Sequence, residues 1–183
     1  MAAKGNGKAN GKSKGARAAT AARVRMFSTS IDVPQEAREQ LVALLNKRLA
    51  DTSDLYSQLK QAHWNVKGPE FYQLHLLFDE LAACALEWSD LIAERAAILG
   101  GYATGTVRMA AADSSLPEFP ADTVDGIELV RALVERYAIY CEAVREGIDQ
   151  SEDLGDPSTA DLLTEVSRDA DKNRWFLEAH VQG

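Results

Sequence analysis

The sequence predicts an all-α protein, a four-helix bundle with a long crossover between its second and third long helices that carries one short helix. Three observations lead there. Apolar residues recur at three- and four-residue intervals in four long stretches, the spacing of a helix with one buried stripe. No stretch alternates apolar and polar residues as a half-buried strand would. The segment between the second and third stretches holds Gly105, Pro117 and Pro120 and is too long for a tight turn, which a bundle with a crossover requires.

Each element has its own start and stop. Asp32 and Pro34 give a helix-start signal. Leu41, Leu44, Leu45, Leu49, Leu55, Tyr56 and Leu59 then form one stripe, which His63 continues. Gly68-Pro69 ends that helix, and a second runs to Gly100-Gly101. One helical turn is expected near Val107 to Ala111 within the crossover. Val130, Leu133, Val134, Tyr137, Cys141, Val144 and Ile148 mark the third long helix. Asp156-Pro157, an N-cap followed by proline at the first helical position, opens the fourth, through Leu163, Val166, Ala170 and Leu177.

At 183 residues and 46% hydrophobic content, the chain can bury one sizeable core. No apolar run approaches the roughly 20 residues of a membrane span, and the N-terminus lacks the apolar centre of a secretory signal. Cys84 and Cys141 make no disulfide framework. A cytoplasmic location is expected. Charge divides the chain. Residues 1–27 carry Lys4, Lys8, Lys12, Lys14, Arg17, Arg23 and Arg25 and no acid, leaving 13 Lys and Arg against 28 Asp and Glu, a net of −15, in residues 28–183. The first segment is rich in Gly, Lys, Ala and Asn and poor in large apolar groups. It reads as a disordered basic tail attached to an acidic bundle domain, 28–183.

The chemistry concentrates in the second helix. A helical wheel puts Leu77, Leu81, Cys84, Trp88 and Leu91 on its core face. His75, Asp79, Asp90 and Glu94 share a different face, with Ala82, Ala83 and Leu86 between the two polar pairs. His75 and Asp79 alone read as a surface ion pair, and His63 alone as a core histidine. Together they form a mixed imidazole and carboxylate set suited to a divalent transition metal such as iron. Each pair is one turn apart and can converge on one ion. Asp79 and Asp90, however, lie roughly 16 Å apart along the axis, so one chain cannot close the set. A two-fold dimer can, by laying Asp90 and Glu94 beside the partner's copies of His75 and Asp79, with His63 leaning toward the same spot.

The stretch His63-Trp64-Asn65-Val66-Lys67-Gly68-Pro69, followed by Phe71, His75, Phe78-Asp79, Asp90 and Glu94, resembles the Dps family (DNA-binding proteins from starved cells), which are ferritin-like mini-ferritins. The likeness runs from about residue 34 to the end and includes "SRDADKNRWFLEAH". It implies a ferritin-like fold and a hollow dodecamer. It also implies an inter-subunit ferroxidase centre built from His63, His75 and Asp79 of one subunit and Asp90 and Glu94 of its mate. Hydrogen peroxide would be the preferred oxidant of Fe2+, the ferric product would be stored as mineral, and DNA would thereby be protected. Trp64 falls at the family's tryptophan near the site, thought to quench oxidising equivalents. Asp156, Asp161 and Glu165 fall where the family lines its three-fold iron pores. A classical ferritin would need Glu-x-x-His motifs inside one bundle, and the sequence has none.

For the tail, three readings stand: a DNA-phosphate-binding arm, a solvated extension, and a targeting peptide. The last lacks an amphipathic face. The DNA-binding arm is the expectation, giving sequence-independent contact and association with the nucleoid. The alternative function is a structural DNA-compacting nucleoid particle whose metal site is incidental.

Overall fold

The computed structural model describes Met1 and residues 25–182. Its helices are α1 (Gln35–Asn65), α2 (Phe71–Ile98), α3 (Val107–Asp113), α4 (Gly126–Asp153) and α5 (Pro157–Glu178), and among the described residues there is no strand, only isolated β-bridges. The architecture is the expected one: α1 pairs with α2, α4 with α5, and α1–α4 and α2–α5 contacts join the two hairpins into a bundle. The short helix α3 lies in the crossover against α1. No helix among the described residues is long and apolar enough to cross a membrane.

Local chemistry sets the boundaries. After α1 the chain turns through Gly68 at φ +110, a left-handed conformation that glycine adopts without steric cost. Asp125 caps α4 by accepting from the N–H groups of Ile127 and Glu128, and Asp156 caps α5 by accepting from Ser158 and Thr159, with Pro157 in the first turn. Pro34 stands at the N-cap of α1 with no side-chain cap, so Asp32 does not fill that role.

The main core gathers Leu55, Leu59, Phe78, Trp88, Tyr137, Tyr140 and Leu163, with the Trp88 and Tyr140 rings stacked at 5.9 Å. A smaller cluster at the other end of the α1–α2 hairpin holds Leu41, Leu45, Ile92 and Leu99. Met26, Ile31 and Val33 pack on it. Met26 bridges Gly101, and Phe27 N–H donates to Gly100 O at 2.6 Å. A β-carbon at Gly100 would stand 2.7 Å from Phe27 O, so this close approach needs glycine. Met26 and Phe27 are thus docked on the helical body. Lys4, Lys8, Lys12, Lys14, Arg17 and Arg23, and the expected disorder of their segment, lie outside the described residues.

The crossover is tied down by polar side chains. Asn46 Nδ2 donates to Tyr102 O while its Oδ1 accepts from Thr104 N–H. Asp51 Oδ1 accepts from the N–H and hydroxyl of Ser115. Gln58 donates to Pro117 O, and Arg136 to Glu118 O. These groups satisfy stretches of the crossover outside α3, which have no sheet or helix ladder of their own.

One expectation needs correction. The buried face of α2 is Leu74, Phe78, Leu81, Ala82, Ala85, Trp88, Ile92 and Ala96. It is rotated by about 60° from the face predicted through Leu77, Cys84 and Leu91, each of which is only partly buried. Ala82 thus belongs to the core, and the surface between the polar pairs is Ala83 and Leu86.

Candidate metal centre

His63 stands in the last turn of α1 and His75 in the second turn of α2. The hairpin turn through Gly68 folds one onto the other. His63 Nδ1 lies 2.7 Å from His75 O, and His75 Nδ1 lies 2.9 Å from His63 O. A carbonyl oxygen only accepts, so both Nδ1 atoms carry the proton and donate. In the neutral tautomer this leaves each Nε2 with its lone pair, the state a metal ligand needs. The rings stack at 3.8 Å with 19° between their planes, and Phe71 sits against His75 at 5.2 Å. Two reciprocal bonds and a stack fix both imidazoles without using either Nε2.

Asp79, one turn beyond His75, brings its Oδ1 to 4.0 Å from His63 Nε2. Lys60 Nζ donates to the same oxygen at 2.5 Å. That hydrogen bond, ahead of the smaller opposing cost of burial, holds the Asp79 carboxyl below the usual carboxylate range. Lys60 was not singled out in the sequence. It lies three residues before His63, hence on the same face one turn earlier, and only that spacing signals it.

Asp90 and Glu94 lie exposed toward the other end of α2, Asp90 bordering a hollow of about 360 Å³ with Tyr56, Leu86 and Ser89. Among the described residues no three His, Cys, Asp or Glu side chains converge as a metal-holding group within one chain. The structure thus pairs His63 with His75 and sets Asp79 near His63, while Asp90 and Glu94 stand exposed further along the same helix. Trp64, next to His63 in the chain, is 64% exposed, with Lys60 Nζ 5.9 Å from its ring centroid.

The acids at the start of α5 separate into two kinds. Asp161 and Glu165 are exposed and one turn apart. Asp156 is 2% exposed. Both its oxygens accept from Arg95 Nη2 at 2.7 Å, and Oδ2 also accepts from the Thr159 hydroxyl. Asp156 is thus engaged within the fold, where it joins α2 to the start of α5. Arg95, its partner from the last turn of α2, had no sequence signal linking it to α5. Of the tail cations only Arg25 is described, its guanidinium 4.8 Å over the Phe27 ring.

This fold defines a ferritin-like protein: residues 42–183 match the Ferritin family, described as a ferritin-like domain. A "DNA protection during starvation protein" of Agrobacterium fabrum is 41% identical over 159 residues, covering 87% of this chain and 98% of its own. An archaeal Dps homologue from Halobacterium salinarum superposes with a TM-score of 0.82 at 35% identity, covering 93% of each chain. The Dps protein of Vibrio cholerae O1, described as a member of a broad superfamily of ferritin-like diiron-carboxylate proteins, gives a TM-score of 0.80 at 25% identity. That likeness covers 86% of this chain and 99% of the other. The chain belongs to the Dps family.

Proposed function

We propose that this protein is a ferroxidase and iron store that protects DNA, with its oxidation sites shared across two-fold dimers of a hollow dodecamer. The observation that carries the reading is the His63–His75 pair. Two imidazoles locked by each other's carbonyls through Nδ1, with His63 Nε2 4.0 Å from Asp79, are ligands prepared for a cation that the single chain does not enclose. Asp90 and Glu94, on the same helix and exposed, complete the set when supplied by a two-fold mate. The description of the Vibrio cholerae relative as ferritin-like and diiron-carboxylate supports iron as the substrate, and the name of the Agrobacterium relative supports DNA protection.

The chemistry is a two-electron reduction of peroxide. Hydrogen peroxide takes one electron from each of two Fe2+ ions. With two water molecules the products are two FeO(OH) units, which stay in the cavity, and four protons, which leave. Carboxylates and neutral imidazoles hold both iron oxidation states at the site. Removing Fe2+ and peroxide together deprives hydroxyl-radical chemistry of both reagents. Trp64, exposed beside the site, is placed to intercept stray oxidising equivalents. Asp161 and Glu165 would focus cations toward the cavity if they line a three-fold channel.

The test is complementation. Particles of Asp90→Asn/Glu94→Gln subunits, and particles of subunits with His63 and His75 both replaced by Asn, should each oxidise Fe2+ slowly. Hybrids of the two rebuild one intact site per mixed dimer and should recover peroxide-driven oxidation, read by ferric absorbance. Hybrids no faster than either parent would disprove the shared site.

A further inference from the structure

Asp79 already has a cation. Lys60 reaches across from α1 to within 2.5 Å of Asp79 Oδ1, the same oxygen that lies 4.0 Å from His63 Nε2. Lys60 is largely covered, its side chain only 19% exposed, although Asp79 is 55% exposed. A protonated amine has three donors and no lone pair, so it cannot join a metal's ligands. It can only compete for them.

We propose that Lys60 is a positioning residue of the metal centre: its ammonium stands at Asp79 in the metal-free protein and must give that carboxylate up when a divalent cation arrives. The inference rests on the reading of His63, His75 and Asp79 as ligands. A metal ion bound through Asp79 Oδ1 and His63 Nε2 would stand within a few ångströms of Nζ, and like charges that close repel. One of the two cations has to move.

The fold gives the ammonium somewhere to go. Lys60 borders a cavity of about 750 Å³ between α1 and the crossover, together with Asp54, Gln61, Trp64 and Glu118. Its Nζ is already 5.9 Å from the Trp64 ring centroid, within the range of cation–π attraction, and two carboxylates line the same space. Until metal binds, the ammonium holds the Asp79 carboxylate near His63. The site is therefore preorganised, and loads less tightly than its ligands alone would allow.

Zn2+ serves as a probe because it binds imidazole and carboxylate without redox chemistry. Full-length assembled protein is titrated calorimetrically as wild type, Lys60→Met, Asp79→Asn and the double variant; methionine keeps the length of the side chain and removes its charge. Lys60→Met should bind Zn2+ roughly fivefold more tightly, the scale of a partly exposed ion pair. In the Asp79→Asn background the same change should alter affinity less than about twofold, because the pair being broken is no longer there. Unchanged or weaker binding by Lys60→Met overturns the proposal. So does an equal gain in both backgrounds, which would mean repulsion at a distance instead of competition for Asp79. A particle with His63 and His75 replaced by Asn separates the two readings. If wild-type Zn2+ binding survives that replacement, the metal centre and the role of Lys60 fall together. If binding is lost with the histidines while Lys60→Met changes nothing, only the role of Lys60 falls.

Discussion

At Asp156, burial and bonding act in opposite directions. Burial disfavours its charge, but hydrogen bonds from Arg95, from the Thr159 hydroxyl and from the Thr159 N–H outweigh it and hold the carboxyl below its ordinary value of 3.8. A group whose folded value is depressed adds stability above its unfolded value and loses it as pH falls through the lower folded one. Replacing Asp156 with Asn keeps an N-cap oxygen and removes the charge facing Arg95. The variant should lose about 2 kcal/mol at neutral pH, the worth of charge-assisted bonds in a mostly buried setting. The difference in melting temperature between wild type and Asp156→Asn should narrow as pH drops below 3.8. A gap that stays constant into that acid range would mean the ion pair contributes nothing. The contrast with Asp161 and Glu165 lies in position. One acid is consumed in joining α2 to α5, and the other two face outward.

Among the elements, α2 shows what one sequence reveals and what it withholds. The i, i+4 pairs His75/Asp79 and Asp90/Glu94 were legible because helical periodicity fixes which residues share a face. Asp156-Pro157 was legible because capping is local chemistry. The rotation of the core face by about 60° was not. Leu77 and Leu91 are as hydrophobic as Leu74 and Leu81, and only the direction from which α4 and α5 pack decides between them. The partners of Lys60, Arg95 and Asp51 were invisible for a related reason, since each reaches a residue on another element. Asp51 looks like a surface acid in the sequence. In the fold it is fully buried, paired with Arg48 at 3.1 Å and bonded to Ser115. Asp51→Ala should cost about 3 kcal/mol, because it strands a buried guanidinium and frees the crossover from α1. Urea unfolding measures this. A loss below about 0.5 kcal/mol would show the crossover to be held by other contacts.

For the whole molecule, the question is how an acidic particle could hold DNA. Residues 28–183 carry a net charge of −15, so in the proposed dodecamer twelve copies would present about −180 and repel phosphates at a distance. The tails contribute seven cations per chain without an acid, about +84 over twelve copies, and cations tied to a chain can reach phosphates that the body repels. On the proposed function, DNA affinity would reside in the tails, be indifferent to sequence, and fall steeply with salt as counterions are released. The structure refines where the cut belongs. Met26 and Phe27 are bonded to Gly101 and Gly100 and pack on the smaller core cluster, so a deletion through residue 27 would damage the body along with the tail. Removing residues 2–24 spares that docking and should abolish gel-shift binding, while peroxide-driven iron oxidation stays within about twofold of the full-length rate. A truncated particle that still binds DNA at about 0.05 M salt, where phosphate contacts dominate, would move the DNA-binding surface from the tails to the assembled body.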